Sequence, residues 1–248
     1  MTRYMAEWGG GEEFFGPRHK FREKLILERI PSPDQRWCLD TACGLGTLTE
    51  KLHNRGYKVM GMDRDLGAAL RTRNRGLPVL VGDATRLPVK EQSLGLIISA
   101  ETLEHILAHQ AAVAEFSRSL LPGGTVTISV PAHPSQWAVW DDWAGHQRRY
   151  TFPELIQVFE GFLPVDVLGY GFPFLRIYDT LIIRRLTQAR HTHGDHSAGA
   201  RKWLILKKLF STILYGIFHV QWPTRRWNVG WIARFILPGA PQNQKTRR

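Results

Sequence analysis

The chain has 248 residues, of which 43% are hydrophobic and 22% are charged, with a formal net charge of +11. This length suits one domain, or one domain with an appendage, because single hydrophobic cores stop growing near ~250 residues. The high apolar content excludes a chain that is disordered as a whole.

Short apolar segments alternate with helix-like segments from residue 37 onward, which is typical of a parallel sheet wrapped by crossover helices. The predicted strands are 37–40, 57–63, 77–83, 93–100 and 124–131, and the predicted helices are 47–55, 66–75 and 113–121. Ligand crevices in such sheets lie outside the carboxyl ends of the strands. Four of the predicted strands end at polar residues, namely Asp40, Asp63, Asp83 and Glu101. We therefore expect a ligand site at that edge.

The pattern becomes less regular after residue 131. Residues 131–151 contain three tryptophans and are predicted to be a long irregular connection of the kind that forms substrate lids. A helix over 152–159 and a strand over 163–170 follow, then helices over 174–189 and 202–219 and a late strand over 228–237.

A glycine turn follows the first strand. Gly44 and Gly46 would let the backbone approach a ligand closely, although such a turn is equally typical of a purely structural strand–helix joint. Asp63, at the end of the next strand, is placed to bind both ribose hydroxyls of a nucleoside, unless it only caps the following helix. The Asp83 carboxylate can accept a hydrogen bond from an adenine amino group, or Asp83 can be a turn residue.

Five segments resemble, in order and spacing, the motifs of class I S-adenosylmethionine-dependent methyltransferases, especially the type 11 branch that includes quinone-biosynthesis enzymes. These segments are LDTACGLGTLTEKL, VMGMD, VGDATRLP, SLGLIISAETLEHI and LLPGGTVTISVP. The resemblance implies an α/β fold, with a doubly wound, Rossmann-like, mostly parallel sheet of seven strands whose last strand is antiparallel. It also implies S-adenosyl-L-methionine as the cofactor.

The resemblance assigns roles to individual residues. The cofactor-binding set that it implies is Asp40, Ala42, Gly44, Gly46, Asp63, Asp83, Ala84 and Glu101. In this set the turn surrounds the methionine part, Asp63 binds the ribose, Asp83 binds the adenine amine, and Glu101 lies near the methyl-transfer face. Ala42 stands where the family pattern has its first glycine.

We then expect four regions. They are an N-terminal helical lid (1–35), the S-adenosylmethionine-binding core (36–170), a basic, aromatic helical insertion (171–227), and the last strand with a frayed tail (228–248).

The candidate catalytic residues are His146, His105, Glu101 and Tyr150, because an oxygen or carbon acceptor needs a group that takes its proton. Residues 145–151 read GHQRRYT and resemble a GHxRRYT segment of this branch. Alternation in an extended chain would place His146, Arg148 and Tyr150 on one side, either facing the site or anchoring the loop. His105 has the alternative of being a packed core histidine.

We expect no metal. His191, His193 and His196 lie close together, but their glycine, serine and alanine neighbours indicate a flexible spacer. The two cysteines, Cys38 and Cys43, are too few for a disulfide framework and indicate a reducing compartment.

Positive charge is concentrated in the last third of the chain. Residues 1–170 hold 19 basic and 20 acidic residues, whereas residues 171–248 hold 14 basic and two acidic ones. Aromatic residues are interleaved with this charge, which is compatible with a helix that covers the core, with an interfacial helix on an anionic membrane, or with single-stranded nucleic acid. No separate RNA-binding module accompanies it, which argues against nucleic acid.

The sequence thus favours a methyltransferase for a small, hydrophobic or lipid-like acceptor at or near the membrane surface. The alternatives are a methyltransferase for RNA or protein, and a non-catalytic cofactor-binding scaffold. Residues 1–15 lack the apolar core of a signal peptide, and no late segment reaches the ~20 apolar residues that a spanning helix needs. We expect a cytoplasmic protein, and the basic tail leaves attachment to the inner face of the membrane open.

Overall fold

The computed structural model describes residues 16–183, 211–222 and 224–239. A seven-stranded sheet forms its centre. The strands are β1 (Trp37–Thr41), β2 (Lys58–Asp63), β3 (Val79–Val81), β4 (Leu94–Ala100), β5 (Leu120–Pro131), β6 (Leu163–Tyr170) and β7 (Gly230–Ile236). Their order is β3-β2-β1-β4-β5-β7-β6, and β7 runs antiparallel to both of its neighbours. The predicted Rossmann-like sheet with an antiparallel last strand is confirmed.

Helices connect and cover the strands. They are α1 (Pro17–Leu27), α2 (Thr47–Asn54), α3 (Leu66–Arg73), α4 (His109–Ser119), α5 (Val139–Ala144), α6 (Phe152–Val158), α7 (Phe174–Tyr178) and α8 (211–218). Local signals set two of the helix starts. The Asp65 carboxylate accepts from the Ala68 amide at the start of α3, and Thr151 and Glu154 form a capping box at the start of α6.

The two faces of the sheet carry separate apolar cores, because successive side chains of a strand point to opposite faces. Leu39 of β1 packs with residues of α4 and α6, such as Phe116 and Leu155. Cys38, the preceding residue, packs with residues of α1, α2 and α8 on the other face. The ring of Phe21 in α1 lies 6.1 Å from that of Phe218 in α8. The N-terminal helix and a C-terminal helix therefore share one core.

Several predicted boundaries differ from the structure. The third strand is short because Asp83 turns the chain by accepting hydrogen bonds from Thr85. The fourth helix starts at His109 rather than 113, in a polar and alanine-rich stretch that gives little periodic signal. Residues 131–151 are not wholly irregular, since they contain α5.

The two helices predicted near the C-terminus, 174–189 and 202–219, can be compared with the structure only in part. The helix predicted over 174–189 is α7 followed by a wider π-helical turn, Asp179–Ile183. Residues 184–210 lie outside the described residues, and with them the histidine-rich spacer and the first part of the helix predicted over 202–219. In the described part of the chain, no helix is long and apolar enough to cross a membrane.

Candidate active site

The turn after β1 has a left-handed backbone at three positions. The φ angles are 53° at Ala42, 56° at Gly44 and 72° at Gly46. A Cβ at Gly46 would lie 2.7 Å from Oγ1 of Thr72, so this position requires glycine. At Gly44 a Cβ would meet no atom of the described residues within 4 Å, so the turn is open to an approaching ligand there. Ala42 holds its conformation at a cost of about 1–2 kcal/mol.

Asp63 lies directly beside this turn. Its Oδ2 accepts from the Gly44 amide at 2.9 Å, and its Oδ1 accepts from the Asp65 amide at 2.9 Å. The cap of α3 is Asp65. The alternative interpretation of Asp63 as that helix cap therefore does not apply.

Asp83 follows the next strand and is held close to Asp63 through the backbone. The Gly82 amide donates to the Asp63 carbonyl at 3.0 Å. The amide and hydroxyl of Thr85 donate to Oδ1 of Asp83, both at 2.7 Å, and these hydrogen bonds lower the pKa of Asp83. Ala84 is buried beside it. Asp63, Asp83 and Ala84 thus lie together at the carboxyl ends of β2 and β3.

Asp40 lies beneath the turn and is buried. Oγ1 of Thr49 donates to its Oδ2 at 2.6 Å. Burial disfavours the charged carboxylate and raises the pKa of Asp40 to about 7. Asp40 therefore supports the turn from inside the protein.

Helix α1 covers the site through ionic contacts that the sequence analysis did not identify. Glu23 accepts from Oγ1 of Thr47 at 2.9 Å, and it also pairs with His19 and Lys51. Although burial opposes ionisation, the hydrogen bonds from His19 and Lys51 lower the pKa of Glu23 to about 2. Arg22 lies 3.3 Å from Glu101. No local motif marks the link from Glu23 to the glycine turn, because Thr47 and Lys51 lie on a helix that starts 24 residues later.

Glu101 occupies the end of β4 in a left-handed conformation, with φ 51°. Its amide donates to the Ser129 carbonyl at 2.9 Å, and its Oε1 accepts from the Ser129 hydroxyl at 3.1 Å. Burial opposes its ionisation, but the charges of Arg22 and Arg18 hold the pKa of Glu101 below its usual value. An anionic side chain is therefore fixed at this strand end.

Glu104, His105 and His146 come together next to Glu101. Glu104 is fully buried, and neither of its carboxylate oxygens has a hydrogen-bond partner in the described part of the chain. Burial, together with the charge of Glu101, raises the pKa of Glu104. The rings of His105 and His146 lie 4.8 Å apart, and burial lowers the pKa of His105 to about 4. His105 is thus neutral at pH 7.

Asp141 of α5 organises the segment that carries His146. It is fully buried and accepts from Nδ1 of His146 at 2.7 Å and from Nε of Arg149 at 2.8 Å. Burial opposes its ionisation, but hydrogen bonds from these two side chains lower the pKa of Asp141. Because Asp141 is ionised, the proton of a neutral His146 lies on Nδ1 and Nε2 is the basic nitrogen.

Arg148 and Tyr150 bind the same neighbouring loop, residues 103–109. Arg148 donates to the carbonyls of Ile106 and Leu107 at 2.8 and 3.0 Å. The buried hydroxyl of Tyr150 donates to the Leu103 carbonyl at 3.2 Å and lies 2.8 Å from Nδ1 of His109. His146, Arg148 and Tyr150 therefore all contact this loop, and the last two anchor residues 131–151, here called the lid segment, to it.

A small open cleft lies between α1, the lid segment and α7. Its lining includes Arg18, Gln136, Trp140, Arg149, Arg176 and Asp179. Arg18 pairs with Asp179 across it at 3.4 Å. The cleft combines cationic groups with an aromatic ring and adjoins the residues that hold Asp141.

Comparison with known proteins finds similar sequences over part of the chain. Residues 39–128 match the model of a methyltransferase domain of type 11. The demethylmenaquinone methyltransferase of Renibacterium salmoninarum is 27% identical over 114 residues, which are 45% of this chain and 48% of that protein. A probable S-adenosylmethionine-dependent methyltransferase of Mycolicibacterium smegmatis is 25% identical over 166 residues, 64% of this chain and 63% of that one. The chain thus spans about half the length of the first of these relatives.

The fold has solved counterparts. The phosphoethanolamine N-methyltransferase 2 of Haemonchus contortus, in complex with phosphomonomethylethanolamine and S-adenosylhomocysteine, superposes with a TM-score of 0.64 at 19% identity, over 94% of this chain and 56% of that one. At this identity the likeness concerns the fold. Together with the domain match, it confirms the resemblance seen in the five sequence segments and S-adenosylmethionine as the cofactor of the domain. Residues 39–128 are therefore a methyltransferase domain of the type 11 kind, on the fold of the class I S-adenosylmethionine-dependent methyltransferases.

Proposed function

We propose that this protein transfers a methyl group from S-adenosylmethionine to a small, hydrophobic or lipid-like acceptor at or near a membrane surface. The observation that carries the enzymatic part is the position of Asp63 beside the open turn at Gly44, with Asp83 at the adjacent strand end. This arrangement supports binding of a nucleoside cofactor at the carboxyl edge of the sheet.

The residues present fit the cofactor. Asp63 would bind the ribose hydroxyls, Asp83 and Ala84 the adenine, and the turn from Ala42 to Gly46 the methionine part. Asp40 would hold the turn from below through Thr49. When bound, the cofactor supplies a methyl group that is already activated for displacement, so the protein mainly supplies alignment and a proton acceptor.

His146 is our candidate for orienting the acceptor or taking its proton. Asp141 fixes its ring through Nδ1, which makes Nε2 the nitrogen available for this role. Glu101, fixed by Arg22 and Ser129, would lie near the transferred methyl group. In this proposal Tyr150 and His105 act as positioning residues, because Tyr150 anchors the lid segment and His105 packs against His146.

The C-terminal region supports the hydrophobic acceptor and the membrane surface. Eight of its large apolar side chains are exposed: Phe174, Ile177, Leu181, Ile213, Ile217, Val220, Trp222 and Trp227. Arg225 and Arg226 lie on the same part of the chain, over the rings of Phe152 and Trp227. Apolar side chains with flanking cations are typical of surfaces that enter the headgroup region of anionic membranes.

Isothermal titration with S-adenosylmethionine tests the enzymatic part. We expect the wild-type protein to bind and Asp63→Ala to weaken binding by at least tenfold. Asp65→Ala is the matched control, because it removes the cap of α3 and a long ion pair with Arg71 but leaves the Asp63 carboxylate in place. Loss of the cap costs about 1 kcal/mol of stability. A wild-type protein that does not bind S-adenosylmethionine would overturn the proposal.

Flotation with lipid vesicles tests the membrane part. We expect the protein to float with phosphatidylglycerol vesicles at low salt, and less at high salt, because screening weakens the attraction of Arg225 and Arg226 to the headgroups. The double variant Arg225→Glu/Arg226→Glu should not float and should remain in the bottom fraction of the gradient. Equal flotation with neutral phosphatidylcholine, or none with either lipid, would contradict this part alone.

A further inference from the structure

The cluster of Glu104, His105 and His146 has the composition of a metal site. One potential ligand atom from each of the three side chains lies within 4.8 Å of the others. The three come from two separate segments, the loop after β4 and the lid segment. The expectation of no metal rested on His191, His193 and His196, which lie outside the described residues and are a different set.

Glu104 is the strongest single indication. Its side chain is fully buried, and both carboxylate oxygens lack a hydrogen-bond partner in the described part of the chain. Buried polar groups are almost always hydrogen-bonded, and a buried charge is paired or coordinates a metal. Arg22, whose charge acts on Glu104, makes its ion pair with Glu101 instead. The two carboxylate oxygens of Glu104 are therefore available to a ligand, because no described residue hydrogen-bonds to them.

The two histidines are held as metal ligands usually are. In protein metal sites, the ring nitrogen that does not bind the metal donates to a carboxylate or a backbone carbonyl. Nδ1 of His146 contacts the buried Asp141 carboxylate at 2.7 Å, which leaves Nε2 for a ligand. The ring of His105 hydrogen-bonds to the backbone of Gly145. Both rings are thus oriented by partners outside the cluster.

We propose that Glu104, His105 and His146 bind one divalent transition-metal ion, such as zinc, manganese or iron(II), at the junction of the β4 loop and the lid segment. Two imidazoles and one carboxylate favour these ions over magnesium and calcium, which prefer oxygen ligands. Three protein ligands leave coordination positions open, as in catalytic rather than structural sites.

The ion would draw the lid segment toward the loop. Metal–ligand distances of about 2.0–2.2 Å place neighbouring ligand atoms of a tetrahedral site about 3.3 Å apart. In the structure, the ligand atoms of the three side chains are separated by up to 4.8 Å. Because His146 is on the lid segment and Glu104 is not, binding links the two more tightly. If the proposed function holds, an ion held by these three side chains would supply the activation of an acceptor hydroxyl, and His146 would then act as a ligand rather than as the proton acceptor.

Isothermal titration of the EDTA-treated, dialysed protein with zinc alone and with manganese alone tests the site. We expect one ion per chain for at least one of the two metals. Glu104→Gln keeps the shape of the side chain and removes its charge, and it should weaken binding at least tenfold. His146→Ala should have the same effect, and circular dichroism checks that both variants are folded.

Two controls separate this site from other histidines. His53→Ala removes an exposed imidazole on α2, and the triple variant His191→Ala/His193→Ala/His196→Ala removes the spacer histidines. Both should bind the ion as the wild type does. The proposal is overturned if the wild type binds neither metal, if Glu104→Gln and His146→Ala bind normally, or if only the triple variant loses binding.

The same proteins titrated with S-adenosylmethionine distinguish this proposal from the proposed function. Glu104→Gln should bind the cofactor with wild-type affinity, since Asp63 and the glycine turn are intact. If the protein binds the metal but not the cofactor, the metal site is supported and the methyltransferase function is rejected. If it binds the cofactor but not the metal, only the metal site is rejected.

Discussion

Asp40 is a carboxyl group buried beneath a backbone turn, where burial raises its pKa to about 7. Its hydrogen bond from Thr49 holds the helix that follows the turn. In the unfolded chain the same group has its ordinary pKa of about 3.9. Between these two values the folded state carries a proton that the unfolded state has lost.

The stability of the protein should therefore depend on the protonation of Asp40. The stabilising contribution of the protonated group is complete below pH 4 and is lost as the pH rises through about 7. Asp40→Asn, which is neutral at every pH, should remove this loss. We expect the free energy of unfolding of the variant, minus that of the wild type, to increase from pH 4 to pH 7 in urea titrations. A difference that stays constant with pH would show that Asp40 is ionised in the folded protein.

Ala42 shows how a residue type and its backbone conformation can disagree. A left-handed φ of 53° is unfavourable for alanine, yet the turn holds it there between β1 and Gly44. The sequence pattern marks this position as unusual, because the family has glycine there. The conformation itself depends on the whole turn, which includes the hydrogen bond from the Gly44 amide to Asp63.

One buried side chain, Asp141, holds several parts of the lid segment together. The fully buried Asp141 accepts a hydrogen bond from the Ala138 amide at 2.7 Å and also binds His146 and the buried Arg149. Arg149 in turn donates to the Ala132 carbonyl at 3.1 Å. Removing the carboxylate leaves a buried guanidinium without its partner, which typically costs 3–5 kcal/mol.

Asp141→Ala should therefore loosen residues 133–149. We expect a loss of about 3 kcal/mol in the free energy of unfolding and faster amide hydrogen exchange in this segment, with little change in the central strands. Asp142→Ala is the control, since Asp142 is exposed and, among the described residues, its carboxylate accepts a hydrogen bond only from the indole of Trp137. If both variants exchange alike, the network of Asp141 does not hold the lid segment.

Elements with a periodic apolar pattern were predicted from the sequence with small errors. Strands β1, β2 and β4 begin and end within about one residue of the prediction, and their carboxyl ends carry the acidic residues that were expected there. Such strands are specified locally, by apolar runs that end in turn residues.

The rest of the site depends on contacts between distant parts of the chain. Glu23 bonds to Thr47, and Glu104 becomes buried only because the lid segment folds over it, with the Gln147 amide donating to its carbonyl at 2.7 Å. Neither contact leaves a local pattern. The sequence therefore indicated the cofactor side of the site, whereas the metal-binding cluster was visible only in the structure.

The whole sheet depends on a strand that comes late in the chain. Strand β7 lies between β5 and β6 and pairs with both of them, through seven residue pairs in each case. Without it, both neighbours would have an unpaired edge, and β6 would lose its link to the sheet.

A chain that ends at Trp227 should consequently fail to fold cooperatively. We expect it to show no sigmoidal thermal transition by circular dichroism, because residues buried in both cores, such as Trp231 and Ile232, are missing. A chain that ends at Gly239 keeps β7 and should retain the transition. A cooperative transition in the shorter chain would show that β1 to β5 form a stable unit by themselves.

The late position of β7 also has a consequence for synthesis in the cell. Strand β5 ends at Pro131 and its partner begins at Gly230, so the ribosome adds about 100 residues between them. At roughly 10 residues per second this takes about ten seconds. During that interval the growing polypeptide presents an open β edge, the kind of surface that pairs with other chains. The nascent protein should then be a client of ribosome-associated chaperones, while the finished one has this edge covered.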